Sequence, residues 1–203
     1  MTYRVWVLSA LMALVSTAAP AAAQIAGRTM PSYELNVHAG AFLPDVDGDR
    51  ETDGLVGTRF VLRFPSGWSF GGNFDWVASD PVSGSIANAA DIDINTFLYS
   101  GEVSYLFPSP TAVHFFVGAG VGAATTRFDA VPGMNDDPDD TTDLLVPLSG
   151  GLILYNRTVE PSWGFRFDAR DNIVWVDTPA PADDTEATHN WEFSAGISIP
   201  FGN

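Results

Sequence analysis

Two kinds of site chemistry can be built from the charged residues of this 203-residue chain, and their spacing keeps them apart. The first is ion pairing. Arg59 and Arg63 stand four residues apart, as do Arg166 and Arg170 with Asp168 between them. Residues an even number apart share one face of an extended chain. Glu34, Asp75, Glu102 and Glu192 fall on the corresponding polar parity of other segments. If that face is enclosed, these charges must pair, because an unpaired buried charge costs several kcal/mol. An ion-pair gate in a narrow channel and a polar plug both meet the requirement, and the plug needs no further assumption. Arg63 and Glu34 should lie near the same end of the structure and are the first pair expected.

The second chemistry is cation coordination. The run Asp45-Val46-Asp47-Gly48-Asp49-Arg50-Glu51-Thr52-Asp53 has calcium-loop spacing at its start. It departs from the EF-hand pattern, with Arg50 where the glycine belongs and Val56 where the bidentate glutamate belongs. Asp45, Asp47, Asp49 and Asp53 remain weak candidates for a divalent cation, shared with acids of a neighbouring loop. Otherwise they are a solvated face, and no cofactor is expected. Catalysis has little to draw on. The histidines are His38, His114 and His189, and no local motif joins one of them to a nucleophile. His189 is read as opening the last strand from a loop, where Asp183 and Asp184 could meet it at a rim. The expectation is no enzyme.

Eight strands must position these residues. The last, from His189 to Phe201, shows the pattern best: Trp191, Phe193, Ala195, Ile197, Ile199 and Phe201 alternate with Asn190, Glu192, Ser194, Gly196 and Ser198. The same alternation predicts strands at about 33–43, 55–64, 68–78, 95–107, 112–126 and 144–155, and another opening at Trp163. Connections alternate long and short. Pro65-Ser66-Gly67 and Pro108-Ser109-Pro110 are tight turns, whereas eighteen of the 25 acids lie in the four long connections 45–53, 80–93, 129–143 and 177–186.

Residues 1–23 read as a secretory signal peptide. Arg4 precedes an apolar run from Val5 to Val15, and Ala21-Ala22-Ala23 precede Gln24. The run is shorter than the ~20 residues that a helical span requires. One domain, 24–203, follows. The chain has no cysteine, so neither a disulfide nor a thiolate is available. Its nine basic residues, all arginine, face 25 acids, which excludes a nucleic-acid partner.

Alternation alone does not say which face is inside, since a soluble lipocalin-like barrel alternates too. The polar face decides. It is mostly Gly, Ser and Asn with a few charges and no lysine, a poor surface for a soluble protein, and its small residues suit a narrow interior. The other face carries Trp and Phe near strand ends with Val, Leu and Ala between, as a lipid-facing band with aromatic girdles would. Asp171 alone resists, because it shares parity with Phe167, Ile173 and Trp175. Its distance from Trp163 places it near the outer interface of the apolar band, or at a bulge there.

The mature chain resembles the small eight-stranded outer-membrane barrels, the OmpA-, OmpX- and OmpW-like group. The resemblance is most specific at Ser194-Ala195-Gly196-Ile197-Ser198-Ile199-Pro200-Phe201, where Ser194, Gly196, Ile199 and Phe201 match the terminal signal read by the barrel-assembly machinery. Gly202-Asn203 after the aromatic is a departure. The resemblance implies an all-β, antiparallel up-and-down transmembrane barrel in the outer membrane of a Gram-negative-type bacterium, with short turns in the periplasm. The implied partners are outer-membrane lipid, lipopolysaccharide and, during insertion, the assembly machinery. The expected protein is a non-enzymatic monomer with a plugged interior, serving envelope structure or surface contact. A narrow passage for small or hydrophobic solutes is the alternative.

Overall fold

A computed structural model describes residues 32–44, 52–79, 94–128, 140–156, 163–177 and 185–201. They form β1 (Ser32–Leu43), β2 (Asp53–Arg63), β3 (Trp68–Ser79), β4 (Ile94–Leu106), β5 (Val113–Phe128), β6 (Thr141–Asn156), β7 (Trp163–Asp177) and β8 (Thr185–Phe201). Each strand pairs antiparallel with its sequence neighbours, and β1 pairs with β8, from Tyr33↔Phe201 to Leu43↔Trp191, so the sheet closes into a barrel in strand order. Closure leaves no strand edge unpaired. The signal peptide, the acids 45, 47 and 49, residues 183 and 184, and 202–203 lie outside the described residues.

The short connection between β2 and β3 shows why the turn residues are what they are. Gly67 N donates to Phe64 O (3.0 Å) and Phe64 N to Trp68 O (2.9 Å). Gly67 holds φ at +89°, which a side chain would resist. A Cβ there would also press on Leu106 O, the neighbouring carbonyl.

Several strands run longer than the alternation indicates. Asp53, Asp143, Asp177 and Glu186, expected in connections, lie within β2, β6, β7 and β8, and His189 lies inside β8 rather than opening it from a loop. The ladder continues there because backbone hydrogen bonds need no apolar face, whereas the sequence signal ends where both faces turn polar.

The faces are those of a barrel turned inside out. Outward-facing Val37, Phe60, Phe74, Val121, Phe193 and Ile197 are each exposed, while Glu34, Asp75, Arg170 and Glu192 are at most 1% exposed. Such an apolar exterior suits lipid and no aqueous medium. Inside, two apolar layers bracket the charges. At the long-connection end, Phe42, Leu55, Val77, Leu98, Ala124, Leu145 and Val174 form one buried cluster, with one residue from each of β1 to β7. Near the short-turn end, Leu106, Phe116 and Ile153 pack with Tyr155.

Candidate functional site

The inward charges come from β1, β2, β3, β4, β7 and β8. Strands β5 and β6 present small side chains opposite them: Gly120 of β5 lies where a Cβ would collide with the Glu102 side chain and Pro147. Sequence order thus sets the arrangement, with charged strands on one wall and room for their long side chains on the other.

Arg170 is the hub. Its Nη1 lies 3.0 Å from Asp75 Oδ2 and 3.5 Å from Glu192 Oε2, and its Nη2 lies 3.1 Å from Glu102 Oε1. Carboxylates from β3, β4 and β8 therefore meet one guanidinium, whose planar fork can serve several acceptors at once. Further donors complete the carboxylates. Asn172 Nδ2 and Ser194 Oγ donate to Glu192 (both 3.2 Å), Ser100 Oγ donates to Glu102 (3.0 Å), and Asn73 Nδ2 donates to Asp75. His38 Nε2 faces Asp75 Oδ1 at 2.7 Å, and its Nδ1 lies 3.0 Å from Asn36 Oδ1. Both cross-strand neighbours of His38 are glycines, Gly57 and Gly196. A Cβ on either would strike the histidine, so these glycines are the space the ring occupies.

Toward the short-turn end, Arg59 Nη1 donates to Asp168 Oδ1 (2.7 Å) and its Nε to Asn73 Oδ1 (3.1 Å). Arg166 grips the same carboxylate through Nε (2.8 Å) and Nη2 (2.9 Å), with its Cζ 3.9 Å over the Phe116 ring. The apolar layer here thus doubles as a cation–π support. Glu34 closes the column, accepting from Arg63 Nη2 (2.8 Å) and Tyr155 O–H (2.6 Å), with Arg166 Nη1 at 3.9 Å. The structure brings Glu34, Arg59, Arg63, Asp75, Glu102, Arg166, Asp168, Arg170 and Glu192 into this single interior column. Sequence reasoning did not include Tyr155 or the Asn36, Asn73 and Asn172 amides. Their inward parity was the available signal.

His38, Asp75 and Glu192 place donor atoms within 4.8 Å of one another, the spacing of a possible metal site. Arg170 Nη1 already lies against both carboxylates. The cation of this cluster is an arginine. Of the candidate loop acids only Asp53 is described, as the first residue of β2.

No family model matches the chain, and no curated protein matches it. Solved structures do resemble it. Neisserial surface protein A superposes with a TM-score of 0.63 at 13% identity, over 85% of this chain and 99% of that one. Ail, the attachment invasion locus protein of Yersinia pestis, in complex with the heparin analogue sucrose octasulfate, gives 0.51 at 14% identity, over 84% and 97%. The chain has the fold of the small eight-stranded outer-membrane barrels.

In an outer-membrane barrel the outward Asp171 would be a charge in lipid, which is destabilising in a depth-dependent way. The structure supplies the partner that sequence reasoning missed. His189, one strand over on β8, places Nδ1 2.9 Å from Asp171 Oδ2. The pair stands on the outer surface, not in the interior column. The terminal residues divide by face: Ser194 is buried inside, whereas Ile199 and Phe201 are exposed outside. Phe201 stacks on Tyr33 at 5.8 Å and approaches Phe60 at 6.2 Å, an aromatic group across the seam where the barrel closes.

Proposed function

We propose that this chain is a non-enzymatic integral outer-membrane protein with a closed interior, exported to the outer membrane of a Gram-negative-type bacterium. It stabilises the envelope or presents its acidic loops for surface contact. Its partners are outer-membrane lipid and lipopolysaccharide, with the assembly machinery engaged during insertion. The protein acts as a monomer and needs no cofactor. One observation carries this reading: the Arg170 hub fills the middle of the barrel and an apolar layer from seven strands lies across it at the long-connection end. A hydrated ion would have to part both, breaking buried ion pairs and entering an apolar constriction. The enclosed His38 has both ring nitrogens engaged, which argues against its use on a substrate.

Single-channel recording and liposome swelling with the full mature chain test the reading. The expected result is a flat baseline and no solute-dependent swelling. Discrete conductance steps, or swelling with small solutes, would replace the closed barrel with a narrow passage.

A further inference from the structure

The outward surface at the long-connection end is not uniform. On β7 and β8 it carries Trp175, Trp191 and the Asp171–His189 pair, with His189 Nδ1 2.9 Å from Asp171 Oδ2. Across β3 to β6 it carries a connected polar strip instead. Trp76 Nε1 donates to Asn95 Oδ1 at 2.9 Å, and Asn95 is the cross-strand partner of Arg127. The Arg127 guanidinium lies over the Phe97 ring, with Cζ 5.4 Å from its centroid. Its Nε faces Asp140 Oδ2 at 3.4 Å, yet the side chain stays 62% exposed and that of Asp140 54%. Beside it runs a ladder of hydroxyls: Tyr99 O–H and Thr125 Oγ1 are 3.3 Å apart, and Thr125 Oγ1 and Thr142 Oγ1 3.0 Å. Three hydroxyls sharing two hydrogen bonds use two of their three protons within the ladder.

The height of the strip bears on what it meets. Thr125 is twelve residues up β5 from Val113, which at ~3.3 Å per residue and ~45° tilt is about 28 Å. The apolar band of such barrels is ~25 Å tall. The hydroxyls therefore stand just past the hydrocarbon, with Arg127 above them, at the level of headgroups. An arginine and hydroxyls on this outward face stand where polar headgroup atoms can meet them.

We propose that this strip is a headgroup site for a phosphorylated glycolipid of the outer leaflet, the chemistry of lipopolysaccharide. The Arg127 fork matches phosphate oxygens in two parallel hydrogen bonds. Tyr99, Thr125 and Thr142 match sugar hydroxyls, and the rings of Phe97 and Trp76, in register with Thr125, lie at the boundary between headgroups and acyl chains. A bound phosphate displaces Asp140 from an exposed ion pair, an interaction that contributes little. The proposal rests on the outer-membrane reading above and assigns that reading a binding surface.

The test uses the full mature chain in phosphatidylcholine nanodiscs doped with lipopolysaccharide, and measures lipid retained per barrel by native mass spectrometry. Arg127→Gln should lower retention about tenfold, the loss of one charge-assisted contact. Thr125→Val/Thr142→Val should lower it by a smaller factor, and His189→Phe, on the opposite wall, should leave it unchanged. Heat-dependent gel mobility monitors folding, and Arg127→Lys, which keeps charge without the fork, serves if the glutamine variant does not fold. Wild-type retention by both strip variants would overturn the site, and equal retention of dephosphorylated lipopolysaccharide would overturn its phosphate specificity. A barrel that conducts, or that folds without lipid, would refute the underlying reading instead, so the two failures are distinguishable.

Discussion

Arg170 brings one guanidinium to Asp75, Glu102 and Glu192, and among the described residues no other cation forms an ion pair with the last two. Replacing it with methionine keeps much of the volume and removes the charge, leaving those carboxylates crowded in the interior. Breaking a buried pair in this way costs about 3–5 kcal/mol. Arg170→Met should therefore lower the urea midpoint of unfolding in lipid vesicles by a large margin, and adding Glu192→Gln should restore part of it. An unchanged midpoint would mean that the hub is not a stability element. At this scale the sequence was legible by type and parity: every member of the column carries its charge on the inward face. Partners were another matter. Glu34 could be matched to Arg63 because both lie near the same end of adjoining strands, and they stand 2.8 Å apart. Asp171 could not be matched to His189, because β8 begins earlier than its apolar alternation does.

Strands explain which glycines matter. Gly57 faces inward, where an added Cβ would collide with Asp75 Oδ1, His38 Nε2 and Phe74 O, whereas Gly101 faces outward with nothing within 4 Å. Overpacking a close-packed interior costs about 1–3 kcal/mol. Gly57→Ala should thus be destabilised to that extent in vesicle unfolding, and Gly101→Ala should match or slightly exceed wild type. Equal behaviour of the two would contradict the face assignment. Parity also shows where the strand pattern becomes silent. At the long-connection end, neighbours such as Leu55-Val56, Trp76-Val77, Leu98-Tyr99 and Leu144-Leu145 are apolar on both faces. One of each pair enters the inner apolar layer and the other faces outward. Alternation carries no information where both environments are apolar, so this layer was not readable from the chain.

For the whole molecule, an apolar exterior around a charged interior makes lipid or detergent a condition of folding. The unboiled mature chain in detergent should migrate faster on a gel than the boiled chain, and circular dichroism should show β-structure only with detergent or lipid present. A folded monomer in plain buffer would reverse the faces and point to a ligand inside a soluble barrel. The sequence by itself determined the strand count, the antiparallel succession and the polarity of the two faces, because these follow from local period and from connection lengths. Only the tertiary structure decided which carboxylates share Arg170, that His189 stands beside Asp171, and that Trp76, Asn95, Arg127, Thr125 and Thr142 form one strip. Those contacts depend on the register between strands. Register is a property of pairs of segments far apart in the chain, and the period of a single strand does not contain it.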